Sequence, residues 1–173
     1  MDRSTGTQTA ERLREKTEIT PSLSSKAVGE ISDVLKPLLA DVYTLYLKTK
    51  NFHWHLSGPH FRDYHLLFDE QAAQILDMSD EIAERARKLG GDTLRSISDI
   101  TRYQRLEDNN EPNIRAEDMV AELYRDNRQL VQFLRSSHDI CVNNNDVATS
   151  SMIEVWIDQT ERRAWFLAQT IRE

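Results

Sequence analysis

The chain has 173 residues, a formal net charge of −7, 39% hydrophobic and 29% charged residues, and only five Gly and four Pro. That length suits one domain with a sizeable core, and the balance favours an all-α protein over a sandwich or barrel. No apolar run approaches the ~18–20 residues of a membrane span, the N-terminus lacks the apolar stretch of a secretory signal, and the negative charge argues against nucleic-acid binding by overall field.

Residues 1–25 read as a polar, Ser/Thr-rich, mobile tail with a short helix over 10–17. Up to position 27, Arg3, Arg12, Arg14, Lys16 and Lys26 stand against Asp2, Glu11, Glu15 and Glu18, five minus four or +1, which is no polycationic arm. Residues 26–173 form the single expected domain. Its first helix spans 26–51, capped by Ser24 or Ser25, with Val28, Ile31, Leu35, Leu38, Val42 and Leu45 at steps of three and four. Pro37 lies inside and predicts a kink or a restart. Phe52 to His60, with Ser57-Gly58-Pro59, reads as the turn.

A second helix spans 60–89. Phe61, Phe68, Ile75, Ile82 and Leu89 recur every seven residues, with Tyr64 and Met78 between them, and Gly90 is the expected C′ residue. Residues 92–115 form a long charged connection with a short helix over 96–103. The third long helix spans 116–141, with Met119, Leu123, Leu130 and Leu134 inward. The fourth starts at a cap on Asp146 and runs to 171, with Ile153, Trp156, Thr160, Ala164, Leu167 and Ile171 inward. The single Cys141 excludes an intrachain disulfide, fits a reducing cytoplasm, and reads as a packing residue.

The second helix carries a palindrome. His65 and Glu84 are centred on position 74.5, and so are Asp69 and Asp80. Residues four apart neighbour one another on a helix, and eleven residues make about three turns, so the four share one face. The rise from Asp69 to Asp80 is roughly 16 Å, too far for the two pairs to share an ion held by bonds of about 2 Å. A two-fold axis through the helix midpoint solves this by facing each pair with the other pair of a second copy. Ala72 and Ala73 are small enough to allow the approach, and Ala73 and Leu76 lie on the ligand face. With His53 upstream, the candidate ligands are His53, His65, Asp69, Asp80 and Glu84. Two imidazoles and three carboxylates suit iron or manganese, with zinc also compatible. Between Arg62 and Arg85 there is no Lys or Arg, so a cation from elsewhere is expected to offset the like charges.

Four long helices with a long crossover between the second and third give the ferritin-like four-helix arrangement. An intra-bundle di-iron site uses Glu-x-x-His motifs. The chain contains none, so the metal belongs on an outer face.

The run Lys50-Asn51-Phe52-His53-Trp54-His55, then Ser57-Gly58-Pro59-His60-Phe61, His65 to Glu84, and Ala83-Glu84-Arg85-Ala86 through Gly90-Gly91 resembles the Dps family of mini-ferritins. The resemblance spans 26–171. It implies that His53, His65 and Asp69 come from one subunit and Asp80 and Glu84 from its two-fold mate. It further implies a dodecameric shell of two-fold dimers, oxidation of Fe(II) by hydrogen peroxide or oxygen, storage of the ferric mineral, and a cytoplasmic setting, nucleoid-associated if DNA is bound. Trp54 matches the aromatic residue beside the family's site, and His55 and His60 read as surface residues or neighbours of the ligands. Asp146, Glu154 and Asp158 are the candidates for an acidic pore, with Asp146 more simply a helix cap. Two alternatives are a nucleoid-compacting DNA-binding protein, which the near-neutral tail does not favour, and a helical scaffold with a structural zinc between subunits.

Overall fold

A computed structural model describes residues 23–170. The expected tail, its short helix over 10–17, and the inward Ile171 lie outside the described residues. Within them the elements are α1 (Ser25–His55), α2 (Phe61–Lys88), α3 (Ile97–Tyr103), α4 (Ala116–Asn143) and α5 (Val147–Thr170). The all-α, ferritin-like expectation holds.

Helix α1 begins where Ser24 Oγ accepts from the Ala27 N–H at 3.2 Å. It runs through Pro37 as one helix and does not restart there. It also passes the expected end at 51 and stops only at His55, because Phe52 and His53 are buried and extend the packed seam by another turn. The turn is therefore confined to residues 56–60. Helix α2 ends as expected at Gly90, with φ 85°. The Gly90 N–H bonds to Arg87 O and the Gly91 N–H to Ala86 O, both at 3.0 Å, which is a Schellman closure. A Cβ on Gly91 would come within 1.9 Å of Ser32 Oγ, so the end of α2 lies directly on the start of α1.

The buried stripe comprises Ile31, Leu35, Leu38, Val42 and Leu45 of α1, Phe68, Ile75, Met78 and Ile82 of α2, Met119, Leu123, Leu130 and Leu134 of α4, and Ile153, Trp156 and Leu167 of α5. Removing each such side chain from water contributes about 1.5–3 kcal/mol before conformational entropy is counted. Phe61 departs from the expected stripe. It is 44% exposed and stacks on the His65 ring, with centroids 4.9 Å apart. Cys141 is fully buried, and that burial pushes its thiol up to about 12, which leaves it an inert packing group.

Chain direction follows from the cross-helix bonds. Along α2, Tyr64, Gln71 and Arg85 meet Thr170, Arg163 and Thr149 of α5 in falling order, so these helices are antiparallel. Along α1, Glu30 meets Asn144 and Lys48 meets Asp126, so α1 and α4 are also antiparallel. Helices α2 and α4 thus run the same way. The crossover must return along the bundle, roughly 40 Å for a helix of 28 residues.

Asp41 pins that crossover. It is fully buried, and its carboxylate accepts from the backbone N–H groups of Arg105 at 2.6 Å and Leu106 at 3.0 Å, and from the Arg105 Nε at 2.8 Å and Nη2 at 2.6 Å. The same guanidinium lies 3.8 Å over the Phe133 ring of α4. Asp146 caps α5 as expected, accepting from Thr149 N–H at 3.1 Å, and Arg85 Nη2 binds it at 2.7 Å.

Asp41→Ala removes the acceptor for two backbone donors and a guanidinium. Because Arg105 is about a third exposed, we expect a loss of about 2–4 kcal/mol rather than the full cost of breaking a buried pair. A thermal melt of the assembled protein reads it as a lower transition. An unchanged transition would show that other contacts hold the crossover.

Candidate metal centre

The last turn of α1 lies beside the first turn of α2, and His53 and His65 face each other across that contact. Their rings stack at 3.8 Å with an interplanar angle of 19°. Each ring bonds to the other residue's backbone: His53 Nδ1 lies 2.9 Å from His65 O, and His65 Nδ1 lies 3.0 Å from His53 O. A carbonyl oxygen can only accept, so in both rings Nδ1 carries the hydrogen and donates. In the neutral form of each ring this leaves the Nε2 lone pair free. Fixing the tautomer and orientation of an imidazole through its other nitrogen is how proteins prepare a histidine to bind metal.

Asp69, one turn after His65, brings its Oδ1 to 3.9 Å from His53 Nε2. The structure thus gathers His53, His65 and Asp69 at one place on the α1–α2 contact. That place also holds a residue the sequence reading passed over. Lys50 Nζ lies 2.7 Å from the same Asp69 Oδ1, and the hydrogen bond and charge of Lys50 lower the Asp69 pKa. Lys50 precedes His53 by three residues on the same helix face, a spacing that would have revealed it. It brings one cation from α1 against the acidic face of α2.

Asp80 and Glu84 do not join this group. They are exposed further along α2, and Glu84 pairs with Lys88 at 2.8 Å, which lowers its pKa. Among the described residues, no three His, Cys, Asp or Glu side chains of one chain are placed to hold an ion. Towards the helix midpoint from the Asp80–Glu84 pair the face is partly apolar, with Ala73 exposed and Leu76 at 39% exposure. A face that combines carboxylates with an exposed leucine is suited to contact with another subunit.

The remaining aromatic and histidine residues lie around the edge. Trp54 is 58% exposed with Lys50 Nζ 5.9 Å from its ring centroid. His55 donates its Nδ1–H back to Asn51 O at 2.8 Å, and His60 stands 5.7 Å from the Tyr64 ring. Both histidines are exposed, in keeping with the surface reading. Glu154 pairs with His138 at 3.2 Å.

The bundle interior offers no rival site. The buried carboxylates among the described residues are Asp41, Asp126 and Asp146, and each already holds a cation: Arg105, Lys48 and Arg85. Lys48 also binds Glu122 at 2.9 Å. Burial works to lower the Lys48 ammonium, but its two carboxylate partners outweigh that and raise it, while burial raises Asp126. Arg163 is buried with Asn127 Oδ1 at 3.1 Å and Thr160 Oγ1 at 2.7 Å, and burial lowers it to about 10. Fixed cations therefore occupy the interior, and the free imidazole lone pairs lie at its edge.

A model of the ferritin-like domain matches residues 32–173. DNA protection during starvation protein 1 of Deinococcus radiodurans is 33% identical over 145 residues, covering 84% of this chain and 70% of that protein. Among solved structures, Dps from Thermosynechococcus elongatus superposes with a TM-score of 0.83 at 24% identity, covering 86% of this chain and 94% of that one. DpsC from Streptomyces coelicolor gives a TM-score of 0.85 at 22% identity, covering 88% and 89%. At these identities the superpositions establish the fold.

Neutron diffraction of the metal-free protein, at a pH where both imidazoles are neutral, should place hydrogen on Nδ1 and none on Nε2 for both His53 and His65. Hydrogen on either Nε2 would overturn the assignment of paired free lone pairs.

Proposed function

This chain belongs to the ferritin-like family and, within it, to the Dps proteins, and from that premise we propose that it oxidises Fe(II) at centres shared between two subunits and stores the ferric product inside a shell. The observation that carries the reading is the facing pair of imidazoles, each committed through Nδ1 and open at Nε2, beside the carboxylate of Asp69. One subunit supplies His53, His65 and Asp69. A two-fold mate supplies Asp80 and Glu84, which the palindrome sets opposite.

Iron is the substrate. The imidazoles fix the geometry, and the carboxylates offset the metal charge and favour the ferric state. Two Fe(II) ions each give up one electron. Hydrogen peroxide takes both electrons with two protons and leaves as two waters, so no hydroxyl radical is released. Oxygen is the second oxidant, and zinc or manganese are substitutes the same N/O set accepts. The shell is a dodecamer of two-fold dimers in the cytoplasm. The DNA protection named in the Deinococcus relative needs no DNA contact on this reading, since removing Fe(II) and peroxide together achieves it. A net charge of −7 supports that economy over direct binding.

Anaerobic Fe(II) followed by peroxide should give a rapid rise in ferric absorbance. His65→Ala and Asp80→Ala should each slow it while the assembly stays intact, and normal rates in both would sink the site. The shared architecture has a sharper signature. Two-fold symmetry means that a dimer of one His65→Ala and one Asp80→Ala subunit keeps one intact centre, whereas either variant alone keeps none. Random reassembly of an equal mixture should then restore about a quarter of the fast phase. No recovery in mixed shells shown to contain both variants would place the centre within a single chain.

A further inference from the structure

The seven-residue stripe of α2 would put Phe61 in the core, yet 44% of the residue is exposed. Leaving it out forgoes part of the stabilisation that burying a phenylalanine gives. What the ring touches instead is His65, one turn on, with centroids 4.9 Å and planes 28° apart. The other stacked neighbour of His65 is the His53 ring, at 3.8 Å and 19°. Two rings at those separations cannot share one face of an imidazole without overlapping each other. Phe61 and His53 therefore cover opposite faces, and His65 is the middle ring of three. The turn before α2 fixes the outer ring. Gly58 adopts a φ of 114°, a conformation that favours glycine, and its carbonyl accepts from the Phe61 N–H at 3.1 Å.

We propose that Phe61 is a positioning residue for the metal centre, holding the His65 imidazole in the one orientation that presents Nε2 to an ion. The proposal rests on the site assigned under Proposed function and deepens it. A ring covered on both faces can turn about its Cβ–Cγ bond only by pushing one cover aside. Only its edges remain accessible. The Nδ1 edge is taken by His53 O at 3.0 Å, and the Nε2 edge is open. His53 is buried and is held by its surroundings, whereas His65 is half-buried and depends on a cover of its own. Without Phe61, one face of His65 meets water. A half-turn of the ring then puts a carbon where Nε2 stood and breaks the Nδ1 bond. A ligand already held in its binding orientation binds more tightly, because less freedom is lost when the ion arrives.

The test uses the assembled full-length protein and two substitutions. Phe61→Leu keeps an apolar side chain and removes the flat face. Phe61→Tyr keeps the face and adds only a hydroxyl. The first readout needs no metal: deuterium exchange at histidine Cε1–H, followed residue by residue by mass spectrometry at one pD. His65 should exchange about twofold to tenfold faster in Phe61→Leu, the range set by the strength of one aromatic pair, and Phe61→Tyr should restore the wild-type rate. His55, exposed and outside the stack, should not change. The second readout is Co(II) binding followed by visible absorption, with His53→Ala to show that the signal belongs to the centre. Phe61→Leu should raise the Co(II) dissociation constant by about the same twofold to tenfold, and Phe61→Tyr should not. A His65 exchange rate unchanged by Phe61→Leu would overturn the proposal and leave the centre standing. Faster exchange with unaltered Co(II) binding would do the same, since Phe61 would then serve packing alone. A Co(II) signal indifferent to His53→Ala would remove the centre, and the positioning role with it.

Discussion

The reciprocal bonds between His53 and His65 are the constraint on which the rest of the site depends. Each imidazole gives its Nδ1–H to the backbone of the residue whose ring it stacks against. Neither bond can form unless the end of α1 and the start of α2 are held in one register. That requirement explains why α1 continues to His55, why Leu56 then turns out with its N–H on Phe52 O, and why the connection is only five residues long. The other end of the same pair is fixed equally closely, since Gly91 leaves no room for a Cβ against Ser32. The hairpin is therefore located at both ends, and the metal-type residues ride on a rigid frame rather than on a loop.

Charge is sorted by the same frame. Every buried carboxylate among the described residues has its own cation, and those pairs serve connection: Asp41 ties the crossover, Asp146 joins α5 to α2, and Asp126 joins α4 to α1. A buried carboxylate stripped of its partner would be costly, so none is free to bind an ion. The carboxylates outside those connections, Asp69, Asp80 and Glu84, are on the exposed face of α2, where Asp69 pairs with Lys50 and Glu84 with the exposed Lys88. Structural carboxylates are thereby kept apart from those of the proposed centre, so metal could load and leave there without loosening the core.

Much of this was legible in the sequence, and the remainder was hidden for physical reasons. The apolar periodicity located all four long helices, and Ser24, Asp146 and Gly90 marked their ends because caps are local chemistry. The short helix over Ile97–Tyr103 was legible from Ser96, whose hydroxyl accepts from Asp99 N–H at 3.2 Å. The end of α1 was misplaced because Ser57-Gly58-Pro59 is a loud turn signal, whereas the burial of Phe52 and His53 is a tertiary fact. Phe61 fitted the seven-residue stripe but left the core for the His65 ring. The buried charges Lys48, Asp126 and Arg163 have no local signature at all, since their partners come from other helices. Lys50 neighbours His53 in the sequence, but its pairing with Asp69 depends on α2 packing against α1.

The palindrome is a different kind of information. Periodicity speaks of how one chain folds, whereas a mirror arrangement about position 74.5 speaks of how two chains meet. Isolated, the chain gathers only part of the proposed ligand set, and the remaining carboxylates lie one turn and more beyond exposed Leu76. On the proposed reading the same surface serves an interface and a reaction. Each residue of such a face appears in both halves of a two-fold contact, so in the proposed centre a substitution at Asp80 falls on the mate's ligand set. On that reading a chain depends on its mate for two ligands, and iron oxidation would then be confined to particles that already have an interior in which to put the product.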